Sequence, residues 1–321
     1  MPFREPRLRV LCAEPQHFSE AGLQAMGAVT ELTSRALSQA AFARAAAAYD
    51  ALMVRLTLRV TGDMVAKADR LKAIISPTTG LDHIDLEAAA GRRVAIFSLQ
   101  GQTAFLRGVT SSAEHTFALL LSLVRAIPAA SASVARGEWT PARFRGMELR
   151  GKTLGLIGCG RIGQLVAGYG RAFGMRVLGY DPHLTRWPRA IERRLSLKRL
   201  LQASDIVSLH APLNRTTERM IGSREIAWMR RGARLINTSR GAVLDEPALL
   251  RGLRNGQVGG AALDVLADEP GRGKARPLIA YARTHVNLLI TPHIAGAARE
   301  AVEATDLFVV HRFRDWLDHR R

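Results

Sequence analysis

The chain has 321 residues, 47% of them hydrophobic, and a formal net charge of +18. That length and apolar content exclude a disordered or fibrous chain and predict two ordinary domains with their own cores. The charge raises the question of a nucleic-acid partner. However, only five of the 46 basic residues are lysines, and the arginines run through the whole length without a basic tail. No aromatic-interleaved patch suited to base stacking accompanies them, so the expectation is an arginine-rich surface that attracts anionic substrates, with no nucleic-acid partner.

Cys12 and Cys159 are the only cysteines and form no metal-spaced pair; no metal site is expected. Residues Met1–Pro6 lack the apolar segment of a secretory signal. The longest apolar stretch, Phe117–Val124, is too short to cross a bilayer. A cytoplasmic, reduced protein without a membrane partner is expected.

In chain order, the first third alternates short apolar runs with helical stretches. Strands are predicted at Leu8–Cys12, Ala51–Val54, Leu71–Ser76 and Val94–Phe97, with an alanine-rich helix over Gln39–Tyr49. This alternation implies a parallel sheet covered by helices. Glu114–Ile127 is apolar almost all round and predicts a helix buried on every side, which Pro128 ends or kinks; it suits a position between domains or a subunit interface. A second series follows, with strands at Thr153–Ile157, Met175–Tyr180, Asp205–Leu209, Arg234–Asn237, Gly260–Val265 and Val286–Ile290. Six strands match a Rossmann-type doubly wound parallel sheet. Residues 297–317 return to a helical pattern that can pack back on the first domain. The expected division is a substrate-binding domain of residues 1–107 completed by 297–321, and a nucleotide-binding domain of residues 108–296.

Between strand Leu154–Ile157 and a helix over Ile162–Phe173 lies Gly158-Cys159-Gly160-Arg161-Ile162-Gly163. Gly158 permits the tight turn, Gly160 lets backbone approach a pyrophosphate, and Gly163 allows close helix–strand packing, with Arg161 and Ile162 opening the helix at the phosphates. Asp181 ends the next strand, 18 residues beyond Gly163, where a carboxylate accepts hydrogen bonds from ribose hydroxyls. It favours NAD over NADP, although His183, Arg186 and Arg189 lie nearby.

Arg240, Glu269 and His293 each follow one of the last three strands, and in open parallel sheets ligands bind beyond the carboxyl ends. An arginine fork grips a carboxylate, a histidine gives or takes a proton near neutral pH, and a neighbouring carboxylate orients the imidazolium and keeps it charged. Singly, each residue has an ordinary structural reading. Jointly, they suit hydride transfer between a nicotinamide and a 2-oxo acid. His83 is expected to cap a helix, His115 to serve an interface, and His210 to line the cofactor site.

The strings Asn237-Thr238-Ser239-Arg240-Gly241, Leu263-Asp264-Val265-Leu266 with Asp268-Glu269-Pro270, and Thr291-Pro292-His293-Ile294-Ala295-Gly296 resemble signatures of the D-isomer-specific 2-hydroxyacid dehydrogenases. So do His210-Ala211-Pro212-Leu213-Asn214 with Thr216-Thr217, and Thr79-Gly80-Leu81-Asp82-His83-Ile84-Asp85. The resemblance implies that Arg240 binds substrate, His293 is the acid/base and Glu269 its partner. It implies that Asp264 holds the nicotinamide carboxamide, with His210, Pro212, Thr238 and Ser239 as further cofactor contacts. It also implies that the backbone of Thr78, Thr79 and Gly80 grips the substrate carboxylate, that the smaller domain is flavodoxin-like, and that the protein is a homodimer built through the nucleotide domain. The segment 98–109 is longer than the corresponding stretch of many members, and Arg107 within it offers a second anion contact. An NAD-dependent enzyme acting on a small 2-oxo or 2-hydroxy acid is expected; a 3-phosphoglycerate dehydrogenase and a non-catalytic NAD(H) sensor are the alternatives.

Overall fold

Short β-branched and leucine-rich runs followed by amphipathic stretches leave the strands no choice but to pair in parallel, since each return passes through a helix. The computed structural model describes residues 7–269 and 277–319, so Pro270 of the Asp268-Glu269-Pro270 string lies outside the described residues. Two units result: residues 1–109 with 297–321, and Thr110–Gly296.

In the first unit, β1 (Arg9–Cys12), β2 (Glu31–Ser34), β3 (Ala51–Met53), β4 (Ala73–Ser76) and β5 (Ala95–Ser98) form one sheet in the order β2-β1-β3-β4-β5, every pair parallel. This is the flavodoxin-like order. The edge strand β2 is absent from the sequence reading, because Glu-Leu-Thr-Ser has no buried residue and no apolar run to mark it. The helix Arg299–Asp318 belongs to this unit and buries Val309, Val310 and Phe313 beside Phe97. Its Asp306 carboxylate accepts hydrogen bonds from the Ser19 amide (2.7 Å) and hydroxyl (2.9 Å) and pairs with Arg55 at 2.9 Å. The 98–109 segment is partly ordered as helix. It contains a helix, Thr103–Leu106, whose Phe105 stacks on Phe308 with ring centroids 4.0 Å apart, while Arg107 is exposed.

In the second unit, β6 (Thr153–Ile157), β7 (Arg176–Tyr180), β8 (Glu192–Arg193), β9 (Ile206–Leu209), β10 (Ala233–Asn237), β11 (Val258–Leu263) and β12 (Leu288–Ile290) run parallel in the order β12-β11-β10-β9-β6-β7-β8. The direction of winding reverses between β6 and β9, the switch point of a doubly wound Rossmann sheet. Successive side chains alternate between two cores: Val207, Leu235 and Leu263 on one face, Ile206, Ile236 and Ala262 on the other. Both faces are therefore dry, as helix-covered parallel sheets require. The seventh strand β8 was not anticipated, being only Glu192 and Arg193 and exposed.

The expected single helix from Glu114 to Ile127 is two. Ser111–Val124 ends at Arg125, Ala126 adopts a left-handed turn (φ 50°), and Ile127–Ala135 begins anew with Pro128 in its first turn. Proline there loses nothing, because first-turn amides have no helical acceptor. Nor is the first helix buried on every side, since Glu114 and Ala118 are exposed.

Candidate active site

Two glycines of the turn after β6 make close approaches that a side chain would prevent. Gly158 sits at φ +90°, and a Cβ on it would stand 2.7 Å from the His210 carbonyl. A Cβ on Gly163 would collide with the Gly158 carbonyl oxygen, whereas one on Gly160 would meet nothing within 4 Å. The first and third glycines are thus needed by the fold, and the second faces open space. Arg161 starts the helix Arg161–Ala172, burial pulling its guanidinium below its usual pKa, and Ile162 packs on the core beside it. Gln164 donates to the Cys159 carbonyl (3.0 Å), tying the turn to the helix. Burial, reinforced by the charge of Asp181, pushes the Cys159 thiol up to about 12, which makes it an inert packing group.

Asp181 follows β7 and leans into this turn. Its carboxylate accepts from the Cys159 amide at 2.9 Å and from the His183 amide at 3.0 Å. His210 follows β9, bonded to Ser208 at 2.9 Å. The residue is only partly exposed, and its dense surroundings lower its pKa to about 4, so it is neutral at physiological pH. The Pro212 carbonyl accepts from Thr217 (2.6 Å), closing the next turn together with Asn214. These groups fit a dinucleotide: a glycine turn open at its centre, a helix amino terminus and a carboxylate one strand away.

Beyond β10, the buried Asn237 fixes the turn that carries Arg240. Its amide donates to the Arg240 carbonyl (3.0 Å), and its oxygen accepts from the Ser239 amide (3.0 Å) and hydroxyl (2.8 Å). Thr238 meets Thr116 at 2.7 Å. The half-buried Arg240 directs one guanidinium nitrogen to the Ser239 carbonyl at 2.9 Å.

His293 and Glu269 meet directly, Nδ1 to Oε1 at 2.7 Å. A carboxylate can only accept, so Nδ1 carries the proton and Nε2 is left as the ring's other nitrogen, able to accept one. His293 itself is left-handed at φ +55°, unusual for a residue other than glycine. Its amide donates to the carbonyls of Asp264 (2.8 Å) and Thr291 (3.0 Å).

Asp264 is enclosed. Its carboxylate accepts from the Thr291 hydroxyl (2.6 Å) and from the amides of Ile294 (2.9 Å) and Ala295 (2.8 Å), with His115 Nε2 at 3.3 Å. Burial raises its pKa, but the hydrogen bonds from His115, Thr291, Ile294 and Ala295 outweigh it and hold it below its ordinary value. Asp264 therefore secures the loop that carries His293, a task its spacing did not suggest. His115, read from the sequence as an interface residue, also reaches Thr291 at 3.1 Å. Thr291 lies 176 positions away along the chain, so spacing offered no signal.

In the other unit, Thr78 is buried and donates to the Gly80 carbonyl (2.9 Å), while the Thr79 side chain is exposed. Ser76 links Thr78 and His83 Nε2, each at 3.0 Å. His83 thus props this loop from within, besides opening no helix as the cap expected of it; that place is Asp85's.

A switch-point glycine turn, a following carboxylate and an imidazole–carboxylate pair beyond the sheet's carboxyl edge define a dinucleotide-binding α/β protein. Residues 117–295 match the NAD-binding domain of the D-isomer specific 2-hydroxyacid dehydrogenases. The chain is 38% identical over 268 residues to a D-3-phosphoglycerate dehydrogenase of Methanocaldococcus jannaschii, covering 83% of this chain and 49% of that protein. It is 40% identical over 256 residues to the Bacillus subtilis protein of the same name, covering 79% and 46%. It thus spans about half the length of the curated relatives it matches. Among solved structures, the D-lactate dehydrogenase of Aquifex aeolicus complexed with NAD and lactic acid aligns over 97% of this chain and 96% of its own, at 30% identity and a TM-score of 0.84. The chain belongs to the D-isomer specific 2-hydroxyacid dehydrogenase family, and its second unit is an NAD-binding domain.

Proposed function

We propose that this protein is an NAD-dependent dehydrogenase that interconverts a small 2-oxo acid and the corresponding D-2-hydroxy acid. NAD, when bound, takes up or delivers the hydride at the substrate's second carbon. Gly158, Gly160, Gly163 and the helix start at Arg161 would hold its pyrophosphate, and Asp181 its ribose hydroxyls. Arg240 would bind the substrate carboxylate through its planar fork. His293 Nε2 would give the substrate oxygen a proton during reduction and remove it during oxidation, while Glu269 keeps the ring turned. The observation that carries this reading is the 2.7 Å contact from Glu269 to Nδ1, which leaves Nε2 as the proton-exchanging atom.

Within the first unit, the Thr78–Gly80 loop supports a part in carboxylate binding. Thr78 and Ser76 hold it from below, and neither the Thr79 nor the Gly80 amide donates a hydrogen bond to any described residue. We infer a cytoplasmic protein as well, because Cys12 and Cys159 are buried, unpaired thiols suited to a reducing compartment.

The test is a panel of 2-oxo acids, including a phosphorylated one, followed by NADH absorbance. Turnover that collapses in Arg240→Ala and partly survives in Arg240→Lys supports the reading. Tight NADH binding with no turnover of any panel member identifies a sensor and ends it.

A further inference from the structure

His293 holds a left-handed conformation that a residue other than glycine rarely adopts, and something must hold it there. The residues flanking it, Thr291 on one side and Ile294 and Ala295 on the other, all donate to a single carboxylate, that of Asp264. The loop's geometry therefore depends on how that carboxylate is oriented and on its remaining ionised.

Among the described residues, the one side chain that reaches this carboxylate from outside the loop is His115, on the helix Ser111–Val124. Its protonation pattern follows from its neighbours. The Thr291 hydroxyl spends its proton on Asp264, so its oxygen can only accept. Asp264, as a carboxylate, can only accept as well. Both atoms that face His115 Nε2 are therefore acceptors, and Nε2 carries a proton shared between them at 3.1 and 3.3 Å.

We propose that His115 is a positioning residue for the reaction: by donating to Asp264 and Thr291 it fixes the loop that presents His293 to Glu269 and substrate. This rests on the catalytic reading of His293 given above. His115 touches no reacting atom; it acts through Asp264. Without its donor, Asp264 and Thr291 lose the bond that ties them to the helix, and the loop gains freedom to leave the left-handed turn.

Three variants separate donor from packing. His115→Gln carries an amide nitrogen to roughly the position of Nε2; His115→Phe keeps the ring volume and removes the donor; His115→Ala removes both. His115→Phe is expected to lose about 30-fold in kcat, the scale of one hydrogen bond to a buried charge. NADH affinity by fluorescence titration stays within about twofold, because the glycine turn is untouched, and His115→Gln recovers to within about threefold of the unmodified enzyme. Equal loss in the Gln and Phe variants, or full activity in His115→Phe, overturns the proposal. A second readout does not depend on turnover: the low-field proton NMR signal of the His293–Glu269 hydrogen bond should persist in His115→Gln and vanish or broaden in His115→Phe. If no panel substrate reacts even with the unmodified protein, the dehydrogenase reading fails, yet this signal still decides whether His115 holds the loop. Its survival unchanged in His115→Phe overturns that role.

Discussion

Gly241 and Leu266 approach so closely that a Cβ on the glycine would overlap the Leu266 carbonyl group and the Ala267 amide nitrogen. This contact presses the turn carrying Arg240 against the segment that runs to Glu269, and the Ala267 amide is held in place by Glu246 at 2.6 Å. Because the obstacle is backbone on both sides, no rotamer change relieves it. Gly241→Ala should therefore destabilise the NAD-binding unit by about 3 kcal/mol, lowering its melting temperature by roughly 6–12 °C for a domain of this size. Differential scanning calorimetry resolves the outcome: the unit containing Gly241 should melt earlier while the other keeps its transition. Unshifted melting with unchanged kinetics would show that the turn is not pinned there.

His210 should give the protein an acid-sensitive limb. Burial lowers its pKa from 6.5 to about 4 in the folded state. The unfolded chain thus binds a proton that the folded chain refuses, and stability falls as pH drops from 6.5 towards 4. Above 6.5 both states are neutral and the full stability is present; below about 4 both are charged and no more is lost. The size of the step is at most about 3 kcal/mol. Asp264, with a folded pKa below its ordinary value, adds a loss only at still lower pH. Urea denaturation at a series of pH values should show the first limb flattened in His210→Gln. An identical slope between pH 6.5 and 4 in both proteins would mean that His210 titrates freely.

Much of this was written in local sequence. The glycine turn, the three strand-end residues and the alternating runs in both units rest on contacts only a few residues apart or on burial on both faces. The elements that went unread are of another kind. β2 and β8 are exposed edge strands whose residues, Glu31–Ser34 and Glu192–Arg193, owe their conformation to β1 and β7 alongside rather than to any apolar period. The helix at Thr103–Leu106 exists because Phe105 and Leu106 have the C-terminal helix and the first sheet to pack on. His115 and Asp264 acquired their shared task through a pairing of residues far apart in the chain, which no spacing rule within one segment can reveal.

Asp181 should set cofactor affinity and choice together. Its carboxylate is oriented by the Cys159 and His183 amides, so the charge stands beside the glycine turn in a defined direction. On the proposed cofactor reading, Asp181→Ala would remove the acceptor for the ribose hydroxyls and the charge that repels a 2′-phosphate. Catalytic efficiency with NADH should fall about 10- to 30-fold, the worth of a charge-assisted hydrogen bond. Efficiency with NADPH should fall less or rise, so the ratio between the two moves toward NADPH. Steady-state kinetics with both cofactors decides it, and an unchanged ratio removes Asp181 from the cofactor site.

The NAD-binding unit exposes an apolar surface that suits the homodimer implied by the family resemblance. Trp139 is 80% exposed, and Ile127 and Val134, seven residues apart on the helix Ile127–Ala135, are 51% and 52% exposed. Seven residues are close to two helical turns, so both lie on one face. Trp139 is not loosely hung. Glu138 beside it accepts from Ser133 at 2.6 Å and pairs with Arg143 at 2.9 Å, and the Ser133 hydroxyl, with Arg136, holds its carboxyl below the ordinary range. A tryptophan presented outward on a braced turn is the kind of side chain that anchors an interface. We infer that a second copy of the chain covers this face. Trp139→Arg places a charge where an indole would be buried and should weaken association by about 100-fold or more, turning a dimer into a monomer at micromolar concentration. Sedimentation equilibrium measures this directly. A single-chain mass for the unmodified protein, or an undiminished dimer in Trp139→Arg, means that this surface serves another end.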